Sequence, residues 1–357
     1  KEKFKWGDWE EKEFVQCGVT IKQVEDGFEL SQPRYLDDVA EIGVNATRRK
    51  DRESPLTERE KSALRALLGG LSWHAQQVAP HLSAEVSLLL SEISQGSVQT
   101  IIKANTLLHH AKARKSHVMK IQKLDGEVAM YAWVDAASQN RIGGGSTQGI
   151  LVGAASRGLE HGEVCPVSPM CWHSNKIDRA CRSPGAAETQ AAVNGEDALY
   201  YARYQWSELQ GHPVDVRAPD RVVQHTAGCL ITDSRNVYDK VTTEVLTIKG
   251  AEKRTNIELL GLKESQQTTG LKVRWVHSEA QLANGLTKAG SAKELELFYR
   301  MGHKWRIVED EEMRSARKRK SEGLEPLENG PKDQPVTPAT NTTPLHLHTN
   351  TQPQQPG

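Results

Sequence analysis

Apolar residues change their spacing along this chain, and the change divides it. From Leu56 to about Lys115 they recur at helical spacing, with Leu64, Leu67, Leu68 and Leu71 on one face. Pro55-Leu56-Thr57-Glu58 opens this stretch, with Thr57 as N-cap and Glu60 three residues later, the spacing of a capping box. Two more helices are predicted over Ser83–Ser94 and Val98–Lys115. Ahead of them, the runs Phe14–Ile21 and Phe28–Leu30 flank Glu25-Asp26-Gly27, and a D-G pair between apolar runs predicts a hairpin. After Asp125-Gly126 the period shortens. Strands are predicted over Glu127–Val134, Gln148–Ala154 and Val167–Trp172, then a long helix over Gly185–Leu209 and a short buried strand over Cys229–Thr232. Helices over Asn236–Ile248 and Asn256–Ser265, a strand over Leu271–Val276 and a closing helix over Glu279–Lys288 complete the order. Three strands, helix, strand, helices, strand, helix is the order of an α/β protein with a mixed five-stranded sheet and helices packed against it.

Composition narrows the classes. Of 357 residues, 46 are basic and 46 acidic, which excludes a histone-like polycation. No window approaches 18 consecutive apolar residues, so no membrane partner is expected. The first segment, KEKFKWGDWEEKEF, is charged where a signal peptide is apolar. Five irregularly spaced cysteines fit reduced thiols in the cytoplasm or nucleus. The last 37 residues hold seven of the fifteen prolines among many Thr, Asn and Gln, the composition of a disordered tail. Just before it, Arg314, Arg317, Lys318, Arg319 and Lys320 form a basic run suited to a nucleic-acid contact or to nuclear import, or simply to a solvated helix end.

Three acids occupy comparable positions. Asp135 closes the first strand of the second half, Glu188 lies in the first turn of the long helix, and Asp233 ends the fourth strand. Strand ends in one sheet converge on one edge. Three acids meeting there repel, and a divalent cation held by oxygen ligands compensates them, which favours Mg²⁺ or Mn²⁺ over zinc.

The strings that carry these acids also occur together. VDAASQNR, GGSTQG, CW, AETQAA, TDSRNV and WVHSEAQLANGLTK resemble, in order and spacing, the ribonuclease H domain at the end of copia-type retrotransposon Pol polyproteins, over roughly residues 123–290. The resemblance implies a ribonuclease H-like fold and two-metal hydrolysis of the RNA strand of an RNA–DNA hybrid. It places the family's catalytic and metal-binding acids on Asp135, Glu188 and Asp233. Where the family reads LADxLTK this chain reads LANGLTK, so the fourth metal position is Asn284, one negative charge short. The resemblance also implies a role for His277 in proton transfer or product release; a solvated loop histidine is the other reading of that position. The partners implied are the RNA–DNA hybrid and the remainder of the Pol polyprotein, in a cytoplasmic virus-like particle.

The upstream segment, from FVQCGVTI to HAQQVAPHLSAEVSLL, is similar to the stretch that follows the polymerase core in the same polyproteins. Tyr35-Leu36-Asp37-Asp38 is spelled like the polymerase YxDD turn, but Pro33 ahead of it predicts a helix start instead, and no polymerase activity is expected. His161, Cys165, Cys171, His173 and Cys181 are zinc-type residues without zinc-type spacing. Gly143-Gly144-Gly145 lacks the Lys-Ser or Lys-Thr of a phosphate loop and predicts a turn. These readings divide the chain into a mainly helical part over 1–120, a ribonuclease H-like domain over 121–292, a helical and basic extension over 293–320 and a tail over 321–357. Two other functions stand beside the nuclease: a decayed, hybrid-binding copy without turnover, and a host-recruited interaction protein using the tail and basic run.

Overall fold

The computed structural model describes residue 7 and residues 10–244, 253–290, 292–325 and 327. The tail from 328 onward and the expected continuation of a helix to Ile248 lie outside these residues.

The upstream part begins with β1 (Glu13–Gln16), β2 (Val19–Val24) and β3 (Gly27–Ser31). The run Phe14–Ile21 is therefore two strands. Cys17 and Gly18, both left-handed at φ 51° and 80°, make the two-residue turn that matches strand twist. Helices α1 (Pro33–Asp38), α2 (Ala46–Lys50), α3 (Glu58–Gln77), α4 (Ser83–Glu92) and α5 (Val98–Ala113) follow. Pro33 opens α1, so Tyr35 to Asp38 are helical. At the start of α3 the Thr57 hydroxyl accepts from the Glu60 N–H at 3.2 Å and the Glu60 carboxylate accepts from the Thr57 N–H at 2.8 Å, closing the capping box. Leu64, Leu67, Leu68 and Leu71 are buried against Leu82, Val86 and Leu89 and against Ile101 and Leu108. Each such side chain contributes about 1.5–3 kcal/mol. Strand β4 (Met119–Gln122) returns to pair with β3, completing an antiparallel sheet in the order β1-β2-β3-β4.

The second sheet contains β5 (Val128–Ala137), β6 (Thr147–Ser156), β7 (Cys165–Lys176), β8 (Gly228–Thr232), β9 (Lys272–Trp275) and β10 (Lys304–Trp305), in the order β10-β7-β6-β5-β8-β9. Its β10, β7, β6 and β5 are antiparallel neighbours, while β8 and β9 join parallel to β5. The helices are α6 (Pro184–Leu209), α7 (Pro219–Val223), α8 (Arg235–Thr242), α9 (Lys253–Thr269), α10 (Lys293–Arg300) and α11 (Ala316–Ser321). The sheet is mixed with flanking helices, as expected, but it has six strands where five were expected, because Lys304–Trp305 adds a short edge strand beside β7.

Both faces of β5 are apolar, as a central strand requires. Met130, Ala132 and Val134 meet Ala192 and Leu199 of α6 and Leu259 and Leu262 of α9. Tyr131 and Trp133 face Leu282, Leu286, Leu295, Phe298 and Trp305, and the same core takes in Val19, Val78 and Met119 from the upstream part. Direct hydrogen bonds also tie the two parts: Trp172 Nε1 donates to the Ala75 carbonyl at 2.8 Å, and Gln122 N–H donates to Ser168 Oγ at 2.8 Å.

Two expectations change. Residues 279–288 form no continuous helix but two 3-10 turns, Ser278–Ala280 and Leu282–Leu286. Gln281 between them is extended at ψ 100°, because its buried carboxamide takes other partners: Oε1 accepts from the Ala283 N–H, and Nε2 donates to the carbonyl of Val134 at 3.0 Å. The region after 292 is helical only at α10 and α11, and its Leu295, Phe298 and Trp305 lie in the core under the sheet.

Candidate functional site

The site starts from strand register. Val134 of β5 pairs with Thr232 of the parallel β8, so Asp233, just past the end of β8, lies beside Asp135, which does not close its strand as expected but sits two residues inside the end of β5. Helix α6 supplies the third acid. Its N-cap, Ser183, accepts from the Ala186 N–H at 3.1 Å, and Pro184 fits the first turn, where its missing N–H is not needed. Glu188 then falls in the second turn rather than the first. Two turns further on, Gly195 allows close approach to β5; a Cβ there would lie 2.1 Å from Val134 Cγ1. Ligand oxygens of Asp135, Glu188 and Asp233 lie within 4.8 Å of one another. Asp135 is 3% exposed and the other two are half-buried.

Burial is the main cause of the acids' weakened acidity. It raises Asp135, against the pull of Lys288, the Thr287 hydrogen bond and the Ala136 N–H. It pushes Glu188 well above the usual carboxylate range, with the charges of Asp135 and Asp233 adding to it. Asp233 is pushed up to about 7, by burial and then by Asp135. Glu188 Oε2 is buried with no hydrogen-bond partner among the described residues. An all-carboxylate donor set with an orphaned oxygen fits a hard divalent cation, which would supply the charge these acids lack.

The remaining expected site residues are placed differently. Asn284 is on the second 3-10 turn, and its Nδ2 donates to the Ser278 carbonyl at 2.6 Å. His277 is no solvated loop residue. It is 1% exposed, its Nδ1 accepts from the Glu279 N–H at 3.3 Å, and the charges around it are those of Glu279, Arg319, Asp310 and Lys293, not the three acids. The basic run is divided. Arg314 and Arg319 both donate to the buried Asp310, while Lys318 sits 3.8 Å from Glu322. Of the zinc-type residues, Cys165 is buried and accepts from Ser156 Oγ at 3.2 Å.

Four residues near the acids had no separate signal in the sequence. Thr287 donates to Asp135 Oδ2, the charge of Lys288 lowers the pKa of all three acids, and Gln281 bridges the carbonyls of β5 and β8 beneath them. Glu294 on α10, 3% exposed, raises Asp233. Gln281, Thr287 and Lys288 stood inside a recognised string, WVHSEAQLANGLTK, whereas Glu294 did not. Beside the start of α6 lies a cleft of about 640 Å³ whose lining includes Arg179, Arg182, Lys253 and Arg254; Arg179 pairs with Glu258.

No protein-family model matches the sequence, and no curated protein matches it. Among solved structures, similar chains include RNase H1 from the halophilic archaeon Halobacterium salinarum, at 15% identity over 48% of this chain and 98% of that one, with a TM-score of 0.29. LC11-RNase H1 in complex with an RNA/DNA hybrid is similar at 13% identity over 47% of this chain and 99% of that one, TM-score 0.30. The foamy viral protease-reverse transcriptase in complex with an RNA/DNA hybrid is similar at 12% identity over 75% of this chain and 29% of that one, TM-score 0.37.

Proposed function

We propose that this chain is a divalent-metal-dependent ribonuclease H that hydrolyses the RNA strand of RNA–DNA hybrids, and that it derives from the Pol polyprotein of a copia-type retrotransposon. The observation that carries the reading is the convergence of Asp135, Glu188 and Asp233 at one sheet edge, with one buried carboxylate oxygen unpartnered. Those three side chains would hold the cations, two Mg²⁺ or Mn²⁺ ions in this reading. Bound there, the ions would activate a water and offset charge on the phosphate. The chain itself supplies the rest. Asp135 is held by Thr287, which fixes one of its oxygens. The cationic cleft beside α6 suits a polyanionic strand running past the acids. Discrimination of RNA would rest on the 2′-OH in the wide minor groove.

Cleavage of an end-labelled RNA–DNA hybrid in Mg²⁺, in Mn²⁺ and in EDTA tests the proposal, with Asp135→Asn as control. Metal-dependent cutting of the RNA strand, lost in the variant, is expected. Uncut hybrid under both metals would remove the nuclease reading.

One observation favours a second reading, a hybrid-binding module without turnover: position 284 carries an amide whose nitrogen is committed to Ser278. Asn284→Asp restores a carboxylate with almost no change of volume. Under limiting Mg²⁺ it is expected to raise cleavage, since carboxylate charge sets affinity for hard cations. Equal rates would mean that position 284 is not a ligand.

A further inference from the structure

The hydroxyl that holds Asp135 belongs to a longer series of hydrogen bonds. Thr287 is fully buried just past the second 3-10 turn, which lies directly on β6. Gly149 makes that approach possible. A Cβ at 149 would stand 2.7 Å from Leu286 Cβ and 2.8 Å from both the Ala283 carbonyl oxygen and Thr287 Cγ2. The Thr287 carbonyl accepts from Asn140 Nδ2 at 2.8 Å. Asn140 Oδ1 accepts from Thr147 Oγ1 at 2.7 Å, and Thr147 Oγ1 in turn accepts from Arg141 Nε at 2.9 Å. Arg141 ends the series outside the sheet, on α4 of the upstream part, with one terminal nitrogen 2.6 Å from Ser87 Oγ and the other 3.3 Å from the Ser87 carbonyl.

The two ends of this series fix the direction of every bond in it. A guanidinium can only donate and a backbone carbonyl can only accept. The single proton of Thr147 must therefore go to Asn140, and the Asn140 amide can point only one way. Such a set has no alternative arrangement of equal quality, so it holds the Thr287 backbone in one place. Thr287 then has its hydroxyl between Asp135 and the Asn284 carbonyl, and beside this hydroxyl the Asp135 carboxylate has the Ala136 N–H.

We propose that Thr287 is the positioning residue of Asp135, and that the series Ser87–Arg141–Thr147–Asn140–Thr287 makes the seating of α4 a determinant of the geometry of the acid site. This rests on the reading of the acids as a cation site. The upstream part then acts on the reaction without touching the substrate: it sets the oxygens that bind the ion. The groups that hold a metal ligand in place commonly change affinity or activity by about 10–100-fold when removed.

The test is Mn²⁺ binding by the full chain, read from the paramagnetic resonance of free Mn²⁺ with no nucleic acid present, alongside kcat and KM for hybrid cleavage. Thr287→Val removes the donor at nearly equal volume and is expected to weaken Mn²⁺ binding by about 10–100-fold and to lower kcat, with KM for the hybrid nearly unchanged. Thr287→Ser keeps the hydroxyl and is expected to restore both. Arg141→Met breaks the series at its far end, so it is expected to weaken Mn²⁺ binding several-fold and to add little to Thr287→Val. Melting curves identify any variant that does not fold, and the serine variant and Arg141→Met then carry the test. Wild-type Mn²⁺ affinity in Thr287→Val, with binding lost in Asp135→Asn, would overturn the positioning role while leaving the cation site standing. Fully additive losses in the double variant would overturn the link to α4. Absence of Mn²⁺ binding in the wild type would remove the cation site and the proposal with it.

Discussion

Two buried acid centres in this molecule are built from the same residue type and treated in opposite ways. Asp310 receives the N–H of Glu312 and of Arg314, both at 3.0 Å, and the guanidinium groups of Arg314 and Arg319. Those bonds hold its carboxyl well below the usual range even though burial acts against them. Asp135, Glu188 and Asp233 have each other, one threonine hydroxyl, the backbone N–H groups of Ala136 and Asp233 and the field of Lys288, and all three are raised. A carboxylate buried for structure arrives with its donors, because an unpaired buried charge costs several kcal/mol. Three that arrive without an ion-pair partner among the described residues mark the place where the fold carries a cost in its metal-free form, and that is what points to function.

The sharpest way to break this contrast is to neutralise one acid of each centre. Asp135→Asn is expected to lower hybrid cleavage by roughly 10⁴-fold, the scale on which loss of one member of a catalytic unit is felt. In EDTA the same variant should melt no lower than the wild type, since it relieves repulsion. Asp310→Asn should do the reverse. It leaves two arginines without their acid and is expected to cost about 3 kcal/mol in denaturant unfolding, with kcat nearly unchanged. If both variants lowered stability alike, the two centres would not differ in kind.

A smaller effect is expected with pH. In the metal-free protein the Asp233 pKa is about 7, against 3.8 for an unperturbed aspartate, so the folded form keeps a proton that the unfolded chain has released. Stability from this group is therefore fullest below about pH 4, falls as pH rises toward 7, and is level above that. Asp310 has the opposite sign: its contribution is present above the ordinary aspartate range and is lost as pH falls below it. Melting in EDTA from pH 4.5 to 8 should show a steeper decline for wild type than for Asp233→Asn, and saturating Mg²⁺ should remove the difference. Comparing the two proteins cancels the buried His81 and His303, whose lowered values act in the other direction.

The smallest change sharpens the role of the upstream part. Trp172→Phe deletes the donor to the Ala75 carbonyl with part of the buried indole and is expected to cost about 2 kcal/mol, read from the denaturation midpoint at constant slope. A much larger loss would mean that Trp172 holds the interface by more than this bond.

Much of this arrangement is written in local sequence. Capping at Thr57, the turn ahead of Gly27 and the apolar run of β5 are all short-range signals, and the three acids could be placed because each lies within a few residues of an element's end. What escaped depends on backbone conformations that spacing does not signal or on partners distant in sequence. The turn at Cys17-Gly18 needs a left-handed cysteine, which sequence spacing does not announce. The helical pattern of 279–288 is overridden by Gln281, whose carboxamide is drawn to strands about 50 and 147 residues away. The basic run looks uniform until Asp310 takes two of its arginines. Thr287 gains its role only once Gly149 lets that segment settle on β6.

The covering of β7 has a consequence for how the chain is made. Its side chains are met at Ser168 by Gln122 and at Trp172 by Ala75, both synthesised before it, whereas the backbone of Cys165 and Pro166 waits for Trp305 and Lys304. During translation one end of a twelve-residue strand is thus shielded at once, and the other stays open while more than a hundred further residues emerge. An open strand edge is a template for pairing with another chain. Products truncated ahead of Lys304 are therefore expected to collect as aggregates, while chains that reach Trp305 remain dispersed.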